Sequence, residues 1–200
     1  LTGLFFGALY LASGRNLWLP ILTHGISDTI GLVLIYFGYL GSDLTPYVEL
    51  FEAKTHERES PDTLHGPLRD LCRVINESSD DDFAAAVGGY LDLDQFVRYV
   101  AAEIFLADFD GMLGAWGMNN FYFYRYENRK LFTFLVWDKS EAFRGEVTTS
   151  IFHNITGVPS WQQNRLLSRA LAHPDLVDLY LDTLLACAQA AGAPDSSSPN

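Results

Sequence analysis

Two hundred residues, 48% of them hydrophobic and 19% charged, exclude a disordered or collagen-like chain and suffice for one medium domain with a real core. Thirteen basic against 25 acidic side chains give a net charge of −12, which leaves no basic footprint and excludes a general nucleic-acid binder. The two cysteines, Cys72 and Cys187, cannot frame a disulfide scaffold and lack CxxC spacing, so they read as buried thiols rather than metal ligands.

The charge is unevenly spread. Residues 1–41 hold only Arg15 and Asp28 as formally charged groups, so the acidity belongs to 42–200. An apolar run from Leu1 to Ala12 is followed by a polar break at Ser13–Asn16 and a second run from Leu17 to Gly41. At 1.5 Å per residue that second run could cross a hydrocarbon core of roughly 30 Å, so a membrane helix is expected here. The start at Leu1 suggests a piece of a longer protein. His24 and Asp28 stand at i, i+4 and share one helix face, where ionisable groups at membrane depth mark function or hold helices together. The stretch GLFFGALYLASGRNLWLPILTHGISDTIGLVLIYFG resembles the last two membrane helices of the CPBP family of intramembrane proteases, relatives of the CAAX endopeptidases. His24 and Asp28 match that family's His and Asn/Asp positions. The family's EExxxR glutamates have no counterpart in this chain, so the resemblance implies a protease remnant.

Residues 42–61 are rich in charge and end at Pro61, a composition that predicts a linker or an edge element. Beyond them the pattern is that of a soluble domain. Helices are expected over about 64–77 and 80–87, the second capped from Ser79–Asp82 and ended by Gly88-Gly89. Asp92 and Gln95 predict a capping box, and Leu93, Phe96, Val97, Val100, Ala101, Ile104 and Phe105 recur at helical spacing over roughly 92–107. After the loop DFDGMLGAWGMN come two aromatic runs, Asn120–Tyr126 and Leu131–Trp137. Their alternation and four-residue connection predict a β-hairpin. About 148–154, 161–171 and 174–191 read as helical, and 192–200 as a flexible tail. The fold class is therefore α+β and mostly helical.

The chemistry gathers at the hairpin. Asp108 and Asp110 lie in the loop entering it, Asn119 and Asn120 at its first strand, and Asp138 directly after its second. A hairpin brings its ends together, so Asn120 and Asp138 should be neighbours with Asp110 folded over them. Carboxylates and an amide oxygen are hard ligands suited to Mg²⁺ or Mn²⁺, with one carboxylate left to orient a hydroxyl. Turn chemistry alone also favours Asp and Asn in loops, which is the bland alternative.

The stretch from Tyr90 to Phe143 resembles the core of the CotH family of spore-coat-type protein kinases. The shared motifs are Leu91-Asp92 to Tyr99, Phe109-Asp110-Gly111, Asn120–Tyr124, and Trp137-Asp138. Coverage is about 52–190, which implies a partial kinase-like C-terminal lobe over 62–191. The resemblance further implies ATP, a divalent metal, and phosphate transfer to Ser of a protein substrate. By the same resemblance Asp110 takes the catalytic-base role, while Asn120 and Asp138 take the metal roles. Lys54 is the nearest candidate for a phosphate-binding lysine, with a solvated lysine as the alternative. Weak activity is expected, because 1–61 reads as membrane segment and linker rather than as a nucleotide-covering lobe. Together the two resemblances point to a bacterial, membrane-associated protein with its acidic domain outside the bilayer. The other readings are the end of a CPBP-type protease with a soluble extension, and an inactive membrane-anchored binding module.

Overall fold

A computed structural model describes residues 11, 41–114, 118, 120–144, 148, 150–152, 155 and 163–192. The proposed membrane segment, with His24 and Asp28, lies outside the described residues apart from Leu11 and Gly41, as does the tail beyond Gly192. Among the described residues six helices and one hairpin follow in chain order: α1 (Thr45–Leu50), α2 (Pro61–Glu77), α3 (Phe83–Gly88), α4 (Leu93–Phe105), β1 (Phe121–Arg125), β2 (Phe132–Val136), α5 (Arg165–Ala170) and α6 (Pro174–Gly192). Among the described residues no helix is long and apolar enough to cross a membrane.

The first helix corrects the linker reading of 42–61. Pro46 sits in its first turn, and Tyr47 is 1% exposed, so the segment contributes to the core. His65 Nε2 lies 2.8 Å from the Phe51 carbonyl and ties the end of α1 to α2. α2 starts at Pro61, earlier than predicted, because the Ser60 hydroxyl accepts from the Thr63 amide and proline needs no amide partner at this position. Pro67, inside α2, cannot bond back to the Thr63 carbonyl. Arg125 of β1 donates to that carbonyl instead, at 3.0 Å.

α3 begins only at Phe83, and residues 80–82 form a turn. Ser79 caps that turn by accepting from the Asp82 amide, whereas Asp82 makes no side-chain cap. α4 is capped by Asp92, which accepts from the Gln95 amide. The capping box is half formed, because Gln95 turns to the hairpin: its Nε2 donates to the Phe134 carbonyl, and its Oε1 accepts from the Phe134 amide. Gln95 thus completes the hydrogen bonds of a strand edge. Residues Tyr90 and Leu91 cover the same edge at Phe132.

α4 is the centre of the fold. Phe96, Val97, Val100 and Ala101 are fully buried on it, against α6 through Leu176 and Tyr180 and against α3 through Phe83 and Val87. The antiparallel hairpin pairs Phe121 with Val136 and Arg125 with Phe132. Phe134 carries its inner face, with ring centroids 5.2 Å from Phe96, 4.7 Å from Phe123 and 5.6 Å from Tyr99. Full burial of such side chains contributes about 1.5–3 kcal/mol each. α5 starts after Asn164, whose side chain accepts from the Leu167 amide. The helix expected over 148–154 is not formed at the described residues 148, 151 and 152, which are turns.

Candidate functional site

Continuing the hairpin register one step past Phe121 and Val136 sets Asn120 opposite Trp137, with Asp138 next beyond. Asp110 meets this end from the loop after α4. The Asn120 Nδ2 donates to Asp110 Oδ2 at 2.7 Å and to the Asp110 carbonyl at 2.9 Å. Both Asn120 (φ 55°) and Asp138 (φ 34°) are left-handed, a conformation that non-glycine residues seldom adopt and that clusters at functional sites.

Asp138 is exposed, and its Oδ1 accepts from the Ser140 amide at 3.2 Å. Hydrogen bonds from the Ser140 side chain and backbone hold its carboxyl below the usual range, so it is ionised and open to solvent. Behind it lies a buried ionic cluster. Glu103 of α4 and Asp108 are 5% and 8% exposed, and Lys139 reaches both, at 2.7 and 2.9 Å. Glu103 Oε2 also accepts from the Met112 amide, and Asp108 Oδ1 from the Asp110 amide. Every oxygen of the two carboxylates is therefore used, as buried charges require. Burial opposes the charged Lys139 amine, yet the hydrogen bonds and charges of Glu103 and Asp108 outweigh it and hold its pKa above the ordinary value. Burial, with the nearby Glu103 charge, raises the Tyr99 phenol, whose hydroxyl finds no hydrogen-bond partner of ordinary geometry.

The model of the CotH kinase protein family matches residues 43–190. The chain belongs to this family. None of the curated proteins and none of the solved structures matches it significantly. CotH membership gives kinase-type chemistry as the family-level reading and implies ATP with a divalent metal. The match begins at Asp43, so α1 falls within the family domain. It does not extend to His24 and Asp28, and nothing in it concerns a protease.

For the divalent metal that CotH membership implies, this domain offers few donors among its described residues. Among the described residues no three His, Cys, Asp or Glu side chains gather around a metal position. What the hairpin mouth offers is the ionised Asp138 carboxylate and the amide oxygen of Asn120, whose nitrogen is engaged by Asp110. Ions of this type are commonly held by one or two carboxylates, with phosphates and water completing the shell. Lys54 is exposed and hydrogen-bonded to Glu52, with no feature beyond its charge to recommend it for phosphate. The residues that sequence reasoning missed are Lys139, as a partner of the site, and Glu103. No local pattern marks them, because Lys139 and its partners Glu103 and Asp108 are far apart in the chain and meet only in the fold.

Proposed function

We propose that this chain transfers the terminal phosphate of ATP to a serine hydroxyl of a protein substrate, using Mg²⁺ or Mn²⁺. The observation that carries the reading is the Asp110–Asn120 hydrogen bond at the mouth of the hairpin that also presents Asp138. Asp110 orients the acceptor hydroxyl and receives its proton, and Asn120 fixes the direction of that carboxylate through Nδ2. Asp138 and the Asn120 amide oxygen would hold the metal, which neutralises phosphate charge when bound. Exposure of Asp138 suits an ion that arrives with its nucleotide. CotH family membership supports the reaction class, and the acceptor residue rests on the resemblance alone.

The test is transfer of labelled phosphate from ATP to a serine-containing protein acceptor, with and without Mn²⁺, alongside Mn²⁺ binding followed by electron paramagnetic resonance. Asp138→Ala should abolish metal-dependent transfer and weaken Mn²⁺ binding. Asp110→Asn should leave Mn²⁺ affinity within about threefold while removing turnover. Transfer that survives Asp138→Ala would place the chemistry elsewhere.

A further inference from the structure

Four chain segments meet at one ammonium. The Lys139 Nζ lies 2.7 Å from Glu103 Oε1 on α4, 2.9 Å from Asp108 Oδ2 in the following loop, and 3.2 Å from the carbonyl oxygen of Asn120 just before β1. Its own backbone follows Asp138. The three residues assigned to phosphate transfer are each one short link away. Asp108 Oδ1 accepts from the Asp110 amide, Asn120 is bonded through its carbonyl, and Asp138 is the covalent neighbour.

A buried ion cluster is a poor device for stability alone, because desolvation of the charges cancels much of their attraction, and well-packed apolar groups of the same volume often do as well. An apolar cluster could not bond the Asn120 carbonyl. That bond spans the open end of the hairpin from Lys139 to Asn120, and the left-handed backbones of Asn120 and of Asp138, the residue before Lys139, are unfavourable unless their surroundings fix them. The Phe143 amide, bonded to the Leu106 carbonyl at 2.6 Å, and the Phe109 amide, bonded to the Glu141 carbonyl at 3.2 Å, fasten the far side of the same loop to the end of α4. The near side, where Asp138 stands, is held by Lys139.

We propose that Lys139 is a positioning residue, whose ammonium fixes Asp110, Asn120 and Asp138 relative to one another through Asp108 and the Asn120 carbonyl. Its effect on transfer rests on the kinase reading above, whereas the tether itself can be measured without it.

Two variants of the whole chain test the idea. Lys139→Met keeps the side-chain length and removes the charge. The triple variant Glu103→Gln, Asp108→Asn, Lys139→Met leaves no uncompensated buried charge and keeps the shapes, so it carries the test where the single variant fails to fold. Backbone hydrogen–deuterium exchange should quicken by about tenfold around Asp110, Asn120 and Asp138 in the folded variants, with α4 and α6 protected as before. Phosphate transfer should lose about 10²-fold in kcat, the scale expected of an ångström-size displacement, while KM for ATP moves by less than about threefold. A folded triple variant with unchanged exchange around these residues, or with unchanged kcat, would reduce Lys139 to a space-filling ion pair and overturn the proposal. If the unaltered chain transfers no phosphate with either metal, the kinase reading fails, and the exchange measurement alone decides for or against the tether.

Discussion

A methyl group on Gly111 would come within 2.2 Å of Glu103 Oε2 and 2.7 Å of Asp108 Oδ2. Neither oxygen can yield freely, since each is already bonded, to the Met112 amide and to Lys139 respectively. Gly111→Ala should therefore destabilise the fold by about 2 kcal/mol, as overpacking typically does. Gly88, at the end of α3, has nothing within 4 Å of such a methyl. Gly88→Ala should be neutral or stabilising by up to about 1 kcal/mol, since alanine has the higher helix propensity. Urea unfolding of the two variants checks both signs, and equal midpoints would show that the acids behind Gly111 are loosely set. At this scale the meeting of Asp110 with Asn120 at the hairpin end could be read from sequence, since motif spacing and hairpin geometry both depend on near neighbours in the chain. Lys139 could not, because its partners Glu103 and Asp108 are brought to it only when α4 folds beneath the hairpin.

Elements were legible where periodicity ran long and failed where it was short. Seven apolar positions announce α4, and the aromatic runs announce the hairpin. α1 spans six residues, too few for a periodic signal, and the charges beyond it suggested a linker. Gln95 shows a related failure, since the local rule gave it to the helix cap and the strand edge claimed it. The boundary between the apolar segment and the domain can be tested with two truncations. On the membrane reading of 1–41, removing residues 1–40 shifts the chain from the membrane fraction to the soluble one, and α1 and the Tyr47–Gly41 bond should stay in place. Removing 1–51 should also cost about 3 kcal/mol of stability, the scale of losing one large buried aromatic. A chain that remains in membranes without 1–40 would sink the membrane reading. Full stability without 1–51 would restore the linker.

For the molecule as a whole, the proton balance points to weakness in alkali. Burial pushes the Cys72 thiol up to about 12 from 9.0, and it raises the Tyr180 phenol, whose hydroxyl donates to the Ile151 carbonyl. Tyr99 and Lys139 are raised as well. A group whose pKa is higher in the fold than in the unfolded chain stabilises fully below its unfolded value, and that contribution is lost as pH climbs to the folded value. All four shifts have this sign, so stability should hold through neutral pH and begin to fall near pH 9, where only the unfolded thiol gives up its proton. The slope from Cys72 alone approaches about 1.4 kcal/mol per pH unit, and it steepens above pH 10 as the phenols and then Lys139 join. Growing self-repulsion in a chain already at −12 acts in the same direction. Urea midpoints from pH 7 to 11, for the unaltered chain and for Cys72→Ala, separate the parts. The alanine variant should hold its stability about one pH unit further before the decline begins. Identical curves for the two proteins would mean that the Cys72 thiol ionises as readily in the fold as in the open chain, so that its packing inside α2 does not shield it from water.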